Sequence, residues 1–327
     1  MLVSEANVMK YTDEPIVKNN EAYDFDGLAG HTRGDQMRRS VTTKVLAVTA
    51  ALASVLMGCG QASTQPAASA DEVAQATEEA VAWAEETAGR ETITQVALLQ
   101  SLLQGDYYGS VHIGDLKTRG DIGIGTFDGL NGELIMVDGV LHRAKGDGSV
   151  DVPDDTETIP FANVTFFDSD EEETLAAAGS FAELEEMLNA RVNELGANRF
   201  YFARIDGTFK TMNVRSEYAQ SEPYQPLVEV LEHDQTFFDF EDVEGTLVAL
   251  YCPQYMKELN NAGWHLHFVS KDGSKGGHVL NLSFDEAKLA LDATDNFEML
   301  LPDEEFFSSI DFSLDRSEEV RKAERND

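Results

Sequence analysis

Three of the chain's seven histidines stand together, at His265, His267 and His278, in the run Gly-Trp-His-Leu-His-Phe-Val-Ser-Lys-Asp-Gly-Ser-Lys-Gly-Gly-His-Val-Leu. Trp264–Val269 has the composition of a strand, and strand side chains alternate faces, so His265 and His267 project the same way. Lys271–Gly277 is rich in turn residues, and a hairpin there returns His278 beside the other two. Three neutral imidazoles on one patch suit a borderline metal such as zinc, and three protein ligands leave a position for water or substrate. Spacing leaves two readings open: a catalytic-type metal site, or a structural hairpin that carries polar histidines.

The elements that must hold these residues follow an α+β pattern. Ala74–Thr87 is acidic, Ala-rich and helically spaced, and Val96–Leu103 reads as a second short helix stopped by Gly105. Strand texture follows at Gly109–Ile113, Gly123–Phe127, Gly132–Val137 and Val140–Arg143, with Asp138-Gly139 as a hairpin turn, and again at Val164–Phe167. Phe181–Leu195 carries a helical apolar stripe through Leu184, Met187, Leu188, Val192 and Leu195. The later strands are Phe200–Ile205, Thr208–Asn213, Thr246–Tyr251, Trp264–Val269 and His278–Phe284. This order predicts two β-rich halves with few helices, divided roughly near residues 180–200.

The front of the chain reads as an address. Arg38, Arg39 and Lys44 precede an apolar run, Val45–Met57, that is too short to span a membrane as a mature helix. It ends in Leu56-Met57-Gly58-Cys59, which resembles the bacterial lipobox, with Cys59 as the lipidated residue. Residues 1–36 then form an upstream extension, 37–58 a lipoprotein signal, 59–75 the lipidated cysteine and a Ser/Ala/Pro/Gln tether, and 76–327 the folded domain. The expected location is the outer face of the cytoplasmic membrane, or the cytoplasm if the signal is not used. Cys252 alone remains in the folded part, so no intrachain disulfide can form, and it reads as a core residue.

The formal charge is −36, of which only −1 belongs to residues 1–59. Such a surface repels nucleic acid and anionic head groups, so membrane association has to come through a lipid. An anionic substrate then needs a local positive centre, which a metal and an Arg supply. Gly123-Ile124-Gly125 precedes a strand-like segment rather than a helix, so it is not a phosphate cradle.

Several segments, taken in order, resemble bacterial α-acetolactate decarboxylases: Ser101–Gly109, Gly123–Glu133, Arg204–Phe209, Arg215-Ser216, Gln220 to Tyr224, and the histidine block ending Gly276–Leu280. The resemblance runs from about Thr92 to the C-terminus. It implies a zinc enzyme that converts 2-acetolactate to acetoin and carbon dioxide. The implied architecture has two domains, a mixed sheet and a β-barrel-like half. By the family's motif His265, His267 and His278 match the zinc ligands, and Glu133 the active-site glutamate. Arg215 matches the substrate-engaging arginine, and Thr126 lies in a Gly-Thr-Phe motif beside the site. A second family glutamate lies near the C-terminus; Glu324 is the best match, with Glu318 and Glu319 as alternatives in the same tail. Val248-Ala249-Leu250 departs from the pattern, where a Gly is usual before the apolar residue.

Without the resemblance, Arg215 reads as a strand-edge arginine and Glu133 as a turn-flanking carboxylate. A lipid-anchored metal-binding capture or sensor protein, or a decarboxylase of a related 2-hydroxy-3-keto acid, are the rival functions. A cupin-type metal site is disfavoured because Phe268-Val269-Ser270-Lys271, not a Glu, follows the histidine pair. A homodimer is left open.

Overall fold

The computed structural model describes residues 90–325. The upstream extension, the signal segment, Cys59, the tether and the Ala74–Thr87 helix lie outside the described residues. The chain begins with β1 (Thr92–Val96), α1 (Leu99–Leu103), β2 (Val111–His112), α2 (Ile113–Lys117), β3 (Ile122–Thr126), β4 (Glu133–Val137) and β5 (Val140–Ala144). It continues through β6 (Val150–Asp151), β7 (Thr158–Ile159), β8 (Phe161–Thr165), β9 (Glu171–Leu175) and α3 (Phe181–Leu195). The long strands follow: β10 (Phe200–Glu217), then α4 (Leu227–His233), β11 (Gln235–Cys252), β12 (Gly263–Ser270) and β13 (Gly276–Thr294). The last elements are β14 (Asn296–Leu300), α5 (Glu305–Ser309) and α6 (Ser317–Arg325).

Two sheets result, together with the small pair β2–β7. The first runs β14-β1-β8-β3-β4-β5-β6 and is mixed, because β14 joins β1 in parallel while the other pairs are antiparallel. The second runs β10-β11-β12-β13-β9, and β10 also pairs with β13, so those pairings return to their start. The sheets share strands across the chain: β9, before α3, joins the second sheet, and β14, near the C-terminus, joins the first. Strands with a few helices make this an α+β fold.

Period-two alternation divides the cores. Along β11, Leu247, Ala249 and Tyr251 enter the core under α3, whereas Val248, Leu250 and Cys252 enter the core between the sheets. Along β12, Trp264, Leu266 and Phe268 face the α3 side. His265 and His267 are therefore turned toward the first sheet, as is Val269. Alternation along β4 sends Leu134 and Met136 to the outer core and leaves Ile135 and Glu133 facing the second sheet.

The predicted helix α3 and hairpin β4–β5 form as expected. Other elements differ. Val96 ends β1 and the following helix starts only at Leu99; Gly109–Ile113 is reduced to β2, and Ile113 opens α2. The two strands expected over Phe200–Asn213 are one, because Gly207 meets a register shift against β13 rather than a turn. The extensions of β11 and β13 interleave apolar with charged residues, as in Phe238-Asp239-Phe240 and Ala287-Lys288-Leu289, and they run on as strands beyond the segments expected.

One buried acid tests the packing around β13. Asp292 is 2% exposed, and its Oδ2 accepts only a 3.2 Å hydrogen bond from the Asp168 N–H. Burial first, then the negative charges of Glu91, Asp170 and Asp168, push its carboxyl up to about 8 against that hydrogen bond. A raised carboxyl pKa means the fold is most secure below the unfolded value near 4 and loses stability as pH rises toward 8. Asp292→Asn keeps the shape and an acceptor without the charge. Its melting temperature should exceed wild type by about 3 °C or more at pH 8, and differ by less than about 1 °C at pH 4. Equal differences at both pH values would contradict this.

Candidate active site

Where the inter-sheet core ends, its apolar face gives way to a polar chamber of about 40 Å³. Its walls include Thr126 and Glu133 from the first sheet, Arg215 and the three histidines from the second, and Glu324 from α6. Leu99, Leu102 and Leu227, on α1 and α4, close the other side. They pack with Val320 and Ala323 of α6, so one apolar cluster holds the three helices over the chamber.

Two glycines permit this convergence. Gly132 has φ +86°, and a Cβ there would lie 2.3 Å from the Ala144 carbonyl, so only glycine makes the bend that delivers Glu133 into β4. At Gly277, φ +148°, a Cβ would lie 2.6 Å from the Arg215 carbonyl. Its absence lets β13 lie against β10 with His278 opposite Arg215, while His278 also pairs with His267 across the hairpin.

The three imidazoles turn one nitrogen each to a common point. His265 Nε2 lies 3.0 Å from His267 Nε2 and 3.0 Å from His278 Nδ1. The opposite nitrogens are engaged elsewhere. His267 Nδ1–H donates to the Leu134 carbonyl at 2.8 Å, and His278 Nε2–H to the Glu324 carbonyl at 3.0 Å. His265 Nδ1 sits 3.3 Å from Glu324 Oε2, a charge contact without hydrogen-bond alignment. The two carbonyls set the tautomers of His267 and His278 so that their lone pairs, not protons, face the common point.

Burial keeps the rings neutral. His267 is pushed down to about 3, mainly by desolvation and further by the Arg215 charge, against the pull of the Leu134 carbonyl. His265 and His278 lie well below the usual imidazole range for the same first reason, with neighbouring His and Arg215 charges adding to it. The buried triad fits a metal ion, as its ligand atoms all lie within 4.8 Å of one another.

The charged groups surround that point. Glu133, 6% exposed, holds Oε2 3.4 Å from His267 Nε2 and Oε1 3.8 Å from Arg215 Nη1. Desolvation, the Glu217 charge, a hydrogen bond with Glu217 and the Glu324 charge raise its proton affinity well above the ordinary carboxylate range; Arg215 opposes them. Arg215 donates Nη1–H to Glu217 Oε1 and Nη2–H to the Ala323 carbonyl at 2.6 Å. Among these buried groups, three carboxyls and one guanidinium surround the imidazole pocket.

Thr126, Glu133, Arg215, the three histidines and Glu324 meet here. Thr126 lies opposite Glu133 in register and gives its hydroxyl proton to the Gly132 carbonyl at 2.8 Å, bracing the same bend. Of the three tail glutamates only Glu324 enters, accepting also from Asn261 Nδ2 at 3.3 Å. Glu318 and Glu319 pair outside with Arg321 and Arg316. Sequence reasoning missed Glu217, although its place two residues after Arg215 on a strand puts both on one face.

Comparison with known proteins decides the family. The pattern of the alpha-acetolactate decarboxylase family matches residues 93–314. The chain belongs to the alpha-acetolactate decarboxylase family. It is an enzyme of the decarboxylase class. The family's enzyme from Methanosarcina mazei is 39% identical over 235 residues, 72% of this chain and 81% of that protein. The one from Brevibacillus brevis is 35% identical over 238 residues, covering 72% and 82% respectively. A crystal structure of the Bacillus subtilis strain 168 family member superposes with a TM-score of 0.69 at 32% identity, covering 72% of this chain and 99% of that one. The matched segment stops at residue 314, before the helix α6 that carries Glu324.

Proposed function

We propose that this family member decarboxylates 2-acetolactate to acetoin and carbon dioxide, with zinc held by His265, His267 and His278. The observation that carries the reading is the convergence of three buried imidazoles beside a buried carboxyl and a buried guanidinium. Zinc at the triad would supply a Lewis acid for the substrate's ketone oxygen, where negative charge builds as carbon dioxide leaves.

The residues supply the rest. Arg215 has five N–H groups, of which two are engaged by Glu217 and Ala323, and its Nε is buried without a partner. The remaining donors orient the substrate carboxylate before it is lost. Breaking the carbon–carbon bond leaves its electron pair in an enediolate, which must accept a proton at carbon to become acetoin. Glu133, whose proton affinity burial and the Glu217 charge raise, is the donor placed for that transfer. The apolar roof of Leu99, Leu102 and Leu227 keeps bulk water from the enediolate.

The test is acetoin formation from racemic acetolactate by the purified protein, before and after chelation. Activity that a chelator removes and zinc restores supports the reading. Metal binding without acetoin would favour a capture protein instead. Export is a separate part of the proposal, supported by the ordered series Arg38-Arg39, Val45–Met57 and Leu-Met-Gly-Cys59. Labelled fatty acid should enter the wild-type chain but not Cys59→Ser, and an unlabelled, full-length cytoplasmic wild type would refute export while leaving the enzyme reading intact.

A further inference from the structure

We propose that Glu217 is a positioning residue, which holds the Arg215 guanidinium off Glu133 and in doing so keeps both groups at the chamber. The inference deepens the reading of the site as a decarboxylase centre and rests on it. Glu217 ends β10 on the face that carries Arg215, and it is 2% exposed. Two carboxyls compete for one donor: Arg215 Nη1 is hydrogen-bonded to Glu217 Oε1, while Glu133 Oε1 stands 3.8 Å away from the same nitrogen.

The second Glu217 oxygen, Oε2, is buried with no hydrogen-bond partner. Nη2 is fixed separately by the Ala323 carbonyl, so loss of the Nη1 contact leaves the fork free to turn about that anchor. The nearest acceptor is then Glu133. Closing that gap would draw Glu133 from its place 3.4 Å from His267 and turn Arg215 away from the substrate. A hydrogen-bond acceptor at the correct reach, rather than a negative charge as such, is what the geometry requires.

Two conservative variants separate reach from charge. Glu217→Gln keeps the length and an acceptor oxygen without the charge; Glu217→Asp keeps the charge but is one methylene short. With folding verified by thermal melts, the aspartate variant should lose about tenfold or more in kcat with a smaller change in KM, and the glutamine variant should lose less. An aspartate variant as active as the glutamine variant, or both at wild-type level, would overturn the proposal. Crystal structures of the two variants give an answer that does not depend on turnover. Arg215 Nη1 bonded to Glu133 in the aspartate variant alone supports it, and an unmoved guanidinium overturns it. Wild-type protein that forms no acetoin would count against the assigned function, and the crystallographic comparison would still decide the role of Glu217.

Discussion

His267→Ala should strip the protein of its metal and of nearly all activity. His267 is fully buried, sits between His265 and Glu133, and has its tautomer locked by the Leu134 carbonyl. Wild type should contain about one zinc per chain. Losing a partner that merely orients a ligand costs roughly 10–100-fold in metal affinity, so loss of the ligand itself should cost at least about a hundredfold. Metal analysis after dialysis against a weak chelator, with turnover measured alongside, checks the expectation. The alanine variant should fold, because the wild-type imidazole is neutral and its removal strands no charge. Full zinc occupancy in a variant lacking all three histidines would refute the site.

Arg215→Lys should lower kcat/KM at least about tenfold, equivalent to about 1.4 kcal/mol of transition-state stabilisation. The arginine fork reaches Glu217 with one arm and the Ala323 carbonyl with the other, and still has donors for a substrate carboxylate. A lysine ammonium keeps the charge but not the planar fork, so it cannot satisfy both anchors and the substrate in one geometry. The helix end that carries Ala323 should loosen as well, because Arg215 caps one of its last carbonyls. Steady-state kinetics at saturating zinc separate this effect from metal loss. Wild-type kinetics in the lysine variant would make the arginine a bystander.

Much of the site was legible in the sequence because its logic is local. A strand repeats every two residues, and that alone places His265 with His267 and Arg215 with Glu217. A turn-rich break then returns a hairpin, which is enough to bring His278 to the pair, and the pairing of His267 with His278 shows that return. The helix Phe181–Leu195 was equally plain, since its apolar stripe packs on one core. The long reach of β11 and β13 was not, because charged residues interrupt the apolar ones along their outer ends, as in Phe238-Asp239-Phe240 and Ala287-Lys288-Leu289.

What only the tertiary structure decided is the chemistry of those residues. Leu134 orients His267 across 133 positions of sequence, Ala323 anchors Arg215 across 108, and Glu324 meets His278 across 46. Backbone carbonyls carry no residue-type signal, so no motif could announce them. The choice of Glu324 over Glu318 and Glu319 follows from which face of α6 the Val320 and Ala323 contacts press onto the chamber. Burial, likewise a property of the whole fold, pushes the imidazoles down and raises the proton affinity of Glu133. Spacing named the histidines and the family resemblance named Thr126, Glu133, Arg215 and Glu324; the packing of two sheets and a C-terminal helix set their burial and their partners.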